Sequence, residues 1–284
     1  MGMNQHLAVI TGCSSGFGLL STVELARQGW TVVATMRDLS RRGALDEAVG
    51  RAGVGERVSV RLLDAAAHST HAAFVEQVLA DYPRIDLLVN NAGFAMAGFV
   101  EDLTLDEYRH QFETNFFGAV SLTKAVLPAM RKQRSGRIVN ISSIAGRTGT
   151  PAMSAYNASK FALEGFSEAL RLEMAPIGIY PILIEPGSFE TGIWYHKENV
   201  AAAAADPNSP NAVRTGRFRD YIQKTLQRAD ANDVARLIAH VAAVPTPKMR
   251  YPIGTDAKML LALRLLLPWK VFEALVVTKM GLGL

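Results

Sequence analysis

Leu7-Ala8-Val9-Ile10-Thr11-Gly12-Cys13-Ser14-Ser15-Gly16-Phe17-Gly18 is the stretch that decides the fold. Its apolar run has the length of a buried strand, its glycines permit a tight turn, and residues 19–28 then follow a helical pattern. A glycine turn between strand and helix lets the backbone at a helix N-terminus approach a pyrophosphate. The spacing is Gly-x3-Gly-x-Gly, neither Gly-x-Gly-x-x-Gly nor a phosphate-binding loop ending in Gly-Lys-Ser/Thr. Any tight strand-helix turn can look like this, so the segment sets the architecture and leaves function to other signals.

Working outward, residues 31–36 complete a βαβ unit, and further buried-strand runs lie at 57–63, 85–89, 137–141, 179–184 and 250–253. Their unbroken apolarity predicts parallel strands covered on both faces. Helical patterns fall at 69–82, 105–132, 155–174, 218–227 and 230–243, and two terminal helices are split at Pro268. The expected class is α/β: a doubly wound parallel sheet with helices on both faces and a C-terminal helical extension over 255–284. No composition break divides it, so residues 1–284 are expected to form a single domain. Regularity fails only over 188–215, a candidate substrate lid.

Composition narrows the function. The 284 residues are 49% apolar and 20% charged, the profile of a globular chain with a sizeable core. Net charge is +4, and beyond Arg131-Lys132-Gln133-Arg134 no basic block stands out, so nucleic acid is not an expected partner. The lone Cys13 excludes disulfide frameworks and multi-thiolate metal sites, and the six histidines show no ligand spacing; no metal is expected. No secretory address is expected at the N-terminus, and Arg264, Pro268, Lys270, Glu273 and Lys279 interrupt the apolar tail, which predicts no membrane span. Cytoplasm is the expected location.

Two further signals carry chemistry. Asn90-Asn91-Ala92-Gly93 follows the fourth strand, at the carboxyl edge where open α/β sheets bind ligands. Ser143 precedes Tyr156 by thirteen residues, and Lys160 follows four later. Tyr and Lys at i and i+4 share a helix face, and a nearby ammonium lowers a phenol's pKa toward that of a working acid or base.

Together these signals resemble the short-chain dehydrogenase/reductase family over nearly the whole chain. The family's Thr-Gly-x3-Gly-x-Gly matches Thr11 to Gly18, its Asn-Asn-Ala-Gly matches residues 90–93, and its Tyr-x3-Lys matches Tyr156 and Lys160. Its catalytic serine falls on Ser143, its helix asparagine on Asn115, and its Pro-Gly-x3-Thr motif on Pro186, Gly187 and Thr191. The resemblance implies hydride transfer between a nicotinamide and an alcohol or ketone carbon. In that reading Tyr156 exchanges the hydroxyl proton and Ser143 hydrogen-bonds the substrate oxygen. Lys160 tunes the tyrosine and holds nicotinamide ribose, and Asn115 holds a relay water. Gly12, Ser14, Ser15, Gly16, Phe17, Gly18, Asn91, Ala92, Gly93, Pro186, Gly187 and Thr191 then surround the cofactor, with Asp64 at the adenine.

Cofactor choice turns on Arg37-Asp38 after the second strand. A guanidinium pairs with the 2′-phosphate of NADP, while a carboxylate accepts the ribose hydroxyl of NAD. NADP is expected, supported by Arg41 and Arg42, with NAD the alternative and a turn-capping role open for Asp38. Phe94, Met96, Ile144, Met153, Phe189, Trp194 and Tyr195 are candidates for an apolar pocket wall. Ala34-Thr35-Met36-Arg37-Asp38 and the apolar tail resemble the branch holding 17β-hydroxysteroid and retinol dehydrogenases, which implies a hydrophobic alcohol or ketone substrate. A 3-oxoacyl carrier protein reductase and a non-catalytic dinucleotide-binding regulator are the alternatives. The resemblance further implies a homodimer or homotetramer through 105–132 and 155–174. The tail packs over the pocket, joins subunits or lies peripherally on a membrane, three alternatives that the sequence leaves open.

Overall fold

In the computed structural model, which describes residues 6–191, 199–225 and 229–280, seven strands form one parallel sheet. They are β1 (Leu7–Ile10), β2 (Thr31–Met36), β3 (Val58–Leu62), β4 (Leu87–Asn90), β5 (Gly136–Ile141), β6 (Ile179–Pro186) and β7 (Arg250–Ile253), in spatial order β3-β2-β1-β4-β5-β6-β7. The order reverses at β1, where Ala8 lies beside Val32 of β2 on one side and Leu87 of β4 on the other. The C-terminal ends of β1 and β4 therefore bound the crevice in which such sheets take ligands.

Every residue of β1 and β4 is buried, because helices cover both faces. Side chains alternate across a strand, so the same run feeds two cores. Ala8 and Ile10 pack with α1 (Gly16–Arg27), α2 (Gly43–Ala52) and α8 (Asn232–Ala243), while Leu7 and Val9 pack with α3 (His71–Asp81), α5 (Gly118–Gln133) and α6 (Ser154–Met174). The remaining helices are α4 (Leu105–Phe112), α7 (Ala212–Thr225), α9 (Thr255–Leu266) and α10 (Trp269–Lys279), the last two separated at Pro268 as the sequence suggests.

Three elements differ from expectation. The helix expected over 105–132 is α4 and α5 joined by a π-helical segment, Glu113–Phe117, whose Glu113 carbonyl accepts from the Gly118 N–H and also lies 3.0 Å from a ring nitrogen of His68. Helix α2 was not anticipated: Gly43 and Gly50 weaken its helical signal, and only Leu45 and Val49 are buried. The candidate lid is held down along its described part. Ala97 donates to the Asn199 carbonyl at 2.8 Å, Ala201 donates to the Ala97 carbonyl at 2.9 Å, and the Ser209 hydroxyl donates to Asp102 at 2.9 Å. Trp194 and Tyr195 lie outside the described residues.

Candidate active site

The glycine turn takes backbone angles that side chains disfavour: φ is +70° at Gly12 and +56° at Gly16. Close approach adds a second reason at Gly12, where a Cβ would stand 2.9 Å from the Ala92 Cα, and at Gly18, where it would stand 2.4 Å from the Gly12 carbonyl oxygen. Ser15 caps α1 through its backbone position without a side-chain bond, so the first N–H groups of the helix stay open to the crevice. Cys13 is buried beneath this turn and its thiol is pushed up to about 12 by burial, a packed rather than reactive group.

Across the crevice, Asn91 and Ala92 are tied to the turn. Their backbone N–H groups donate to the Thr11 hydroxyl at 3.0 and 2.9 Å, and the Asn91 amide donates to the carbonyls of Thr11 and Gly12 at 2.8 and 3.1 Å. The glycine turn and the Asn-Ala-Gly segment are one assembly spanning β1 and β4. Gly93 continues it: a Cβ there would come 3.0 Å from the Asn115 side-chain oxygen. Asn115, buried in the π-helical segment, donates to the Phe94 carbonyl at 2.9 Å and accepts from its N–H at 3.1 Å. It lies under the crevice and shapes the 93–94 backbone.

A cavity of about 340 Å³ opens along this edge. Its walls include the glycine turn from Gly12 to Phe17, Arg37 and Asp38, Asp64, Asn91 to Gly93, Ser143, Tyr156 and Lys160, and Pro186, Gly187 and Thr191. Gly18 and Asn115 support it from behind. Of the expected apolar wall, Phe94, Met96 and Phe189 line it, Met153 is buried with Tyr156 in an adjoining cluster, and Ile144 begins the turn after Ser143. His110 also faces the cavity, its ring centroid 4.9 Å from that of Phe94. A His in a polar stretch carried no signal for that position.

At the end of the cavity beside β2 the neighbours Arg37 and Asp38 behave differently. Asp38 caps the turn Leu39–Arg42, accepting from the Ser40 N–H at 2.9 Å and hydroxyl at 2.7 Å, which holds its carboxyl below the usual range. Arg42 is turned away onto Asp46 at 2.7 Å. Arg37 and Arg41 both line the cavity and, among the described residues, have no ion-pair partner within 4 Å.

Ser143, Tyr156 and Lys160 stand at the other end. The Ser143 oxygen accepts from the Ala145 N–H at 3.1 Å, and Tyr156 is 5% exposed. The Lys160 ammonium donates to the Ile141 carbonyl at 2.7 Å and sits 5.6 Å from the Tyr156 ring centroid. The expected depression of the phenol pKa is not what this arrangement produces. Burial pushes Tyr156 up to about 12, only partly opposed by the Ser143 hydroxyl, and pushes Lys160 down to about 8. Spacing placed the pair together correctly, but desolvation of both groups outweighs their attraction.

Behind them lies a buried charge cluster that sequence reading missed. Glu164 and Glu185 share Arg250, with Nε to oxygen distances of 3.0 and 3.1 Å, and Glu185 also takes Arg147 at 3.1 Å. Burial first, then the Glu185 charge, push Glu164 up to about 7. Glu164 is the residue at i+4 from Lys160, so the helix-face argument that paired Tyr156 with Lys160 would have found it. Asp256 is a second omission. It accepts from the Ser188 N–H at 2.7 Å, and its oxygen would be 2.2 Å from a Cβ on Gly187, so a side chain there would displace the carboxylate.

Lys160 has a measurable consequence. Its pKa falls from 10.5 to about 8 on folding, so the unfolded chain binds more protons between those values and the cost is full below pH 8. That cost is relieved as pH rises toward 10.5. The stability of Lys160→Met relative to the native chain should therefore be highest near pH 7 and fall toward pH 10, whatever constant offset the lost hydrogen bond adds. Denaturant midpoints across this range check it; a difference flat with pH would mean that the ammonium is not desolvated.

A parallel sheet with a glycine-lined crevice at its order reversal defines the doubly wound, Rossmann-like class. Within that class the chain belongs to the short-chain dehydrogenase family, whose model, described as short chain dehydrogenase, matches residues 6–200. It is 43% identical over 281 residues to YusZ, an uncharacterized oxidoreductase of Bacillus subtilis, covering 98% of this chain and 99% of that one. It is 38% identical over 273 residues to retinol dehydrogenase 8 of Bos taurus, covering 92% and 85%. A solved short-chain dehydrogenase from Streptomyces avermitilis is similar with a TM-score of 0.82 at 33% identity, covering 100% of this chain and 99% of that one. This protein is an oxidoreductase of the family.

Proposed function

We propose that the protein transfers hydride between NADP(H) and a hydrophobic secondary alcohol or ketone. The observation that carries this reading is the convergence of the open α1 N-terminus, Ser143, Tyr156 and Lys160 on one cavity with apolar walls. The residues fit a dinucleotide: Gly12 and Gly16 leave room for a pyrophosphate, and Arg37 and Arg41 offer cations at the far end. The nicotinamide supplies or accepts the hydride when bound. Tyr156 holds its proton at neutral pH and can donate it to a substrate oxygen, while the Ser143 hydroxyl donates a hydrogen bond where negative charge develops. In the reverse sense Tyr156 must lose that proton, and Lys160, charged below about pH 8, favours the phenolate.

NADP is favoured over NAD because Asp38, which also lines the cavity, is already engaged by Ser40, whereas Arg37 and Arg41 line it with no ion-pair partner among the described residues. The hydrophobic substrate is favoured by Phe94, Met96 and Phe189 and by the similarity to retinol dehydrogenase 8. Steroid, retinoid and aliphatic carbonyls assayed with NADPH and NADH, by nicotinamide absorbance, test both choices. Turnover confined to small polar carbonyls would overturn the substrate class. Arg37→Ala is expected to weaken NADP(H) by about tenfold or more and NAD(H) little, as loss of a charge-assisted contact of about 1.5–3 kcal/mol requires. Equal losses in a titration of both cofactors would remove Arg37 from phosphate recognition.

A further inference from the structure

The two helices after β7 present opposite faces to different surroundings. Inward, Phe272 of α10 is buried, and Val277 and Met280 pack on the cluster that contains Tyr156, Phe99 and Phe218. Outward, Met259, Leu265, Leu266, Trp269, Val271 and Leu275 are exposed, Leu265 and Leu266 by 81% and 79%. Large apolar side chains concentrated in this way on neighbouring helices mark an interaction surface.

Charge decides the partner. Lys258, Arg264, Lys270 and Lys279 are exposed on the same helices, against Glu273 as the exposed acid, since Asp256 is turned inward to Ser188. Arg264 lies over the rings of Trp269 and Phe272 at 5.0 and 5.7 Å, placing a cation among the apolar groups. A two-fold contact between copies would set these cations against themselves. An anionic lipid surface complements both the charge and the apolar side chains, and Trp and Lys suit its boundary. No helix among the described residues is long and apolar enough to cross a membrane, so the contact would be interfacial.

We propose that α9 and α10 dock the protein onto anionic phospholipid bilayers, while the inner side of α10 packs on the cluster that contains Tyr156. The proposal is independent of the substrate reading, because vesicle binding is measured without turnover. Full-length protein is floated with vesicles of phosphatidylcholine alone and of phosphatidylcholine with phosphatidylglycerol, at low and high salt. Native protein is expected to float with the anionic vesicles, more weakly at high salt. The combined variant Leu265→Gln, Leu266→Gln, Leu275→Gln and the separate variant Lys258→Glu, Lys270→Glu should each bind about tenfold or more weakly with unchanged melting temperature. Absence of native binding to either vesicle overturns the proposal, as does undiminished binding by both variants. A native dimer that the leucine variant dissociates, with no vesicle binding, overturns it in favour of a second copy of this chain.

Discussion

Tyr156→Phe is expected to fold, to bind dinucleotide normally and to lose turnover by a factor on the order of 10²–10⁴, the usual contribution of a positioned proton donor. The ring makes the buried contacts, in the cluster with Ala95, Phe99, Met153 and Phe218, and Phe retains all of it. The hydroxyl alone is removed, and with it the proton that the substrate oxygen receives in the proposed reaction. Removing the oxygen should also raise stability at high pH. The folded phenol holds its proton up to about 12, against an ordinary value of 10, so native stability declines above pH 10 through this group and the variant's does not. Turnover rates with the best ketone, beside cofactor titration by fluorescence, check the result. A variant retaining most activity would take Tyr156 out of the chemistry.

Gly18→Ala is expected to damage both stability and cofactor affinity. Its Cβ would stand 2.4 Å from the Gly12 carbonyl oxygen, which is backbone, and 2.6 Å from the Asn91 side-chain nitrogen, which is held by its bonds to the Thr11 and Gly12 carbonyls. Overpacking of this kind costs about 1–3 kcal/mol, and the displaced groups are those that shape the pyrophosphate turn. Gly50→Ala in α2 is the matching control, since a Cβ there meets nothing within 4 Å and helix propensity favours alanine by up to about 1 kcal/mol. Denaturant midpoints and dinucleotide titrations on both variants separate the cases. A Gly18→Ala protein as stable and as tight-binding as native would mean that the turn relaxes freely.

The sheet was legible because its strands are short unbroken apolar runs, and burial on both faces leaves no polar alternation to confuse them. The helix at 105–132 was legible as helical but not as interrupted. Its π-helical segment answers a tertiary demand, the pairing of Asn115 with the Phe94 backbone, that no local pattern encodes. The same distinction runs through the site. That Tyr156 and Lys160 adjoin follows from helical spacing; that both are desolvated depends on β5, α10 and the loop around Phe99, which lie far along the chain. Asp38 shows it most sharply. Two roles were consistent with its place after β2, and the hydroxyl of Ser40 two residues later selects the capping one. Tyr-x3-Lys could be extended by one more turn to Glu164, but Arg250, which completes that cluster, is 86 residues away.

The Thr11 hydroxyl, accepting from two amides of the Asn91-Ala92 pair, joins segments 80 residues apart in the chain. Parts of a protein held by nearby residues can open by themselves, whereas parts held by distant strands open only when the whole sheet does. Here the crevice between β1 and β4 is of the second kind. Loosening the glycine turn therefore breaks bonds that also tie β1 to β4, and the turn's shape is set by the chain's own bonds before any cofactor arrives. Entropy lost on binding is correspondingly small on this side of the site.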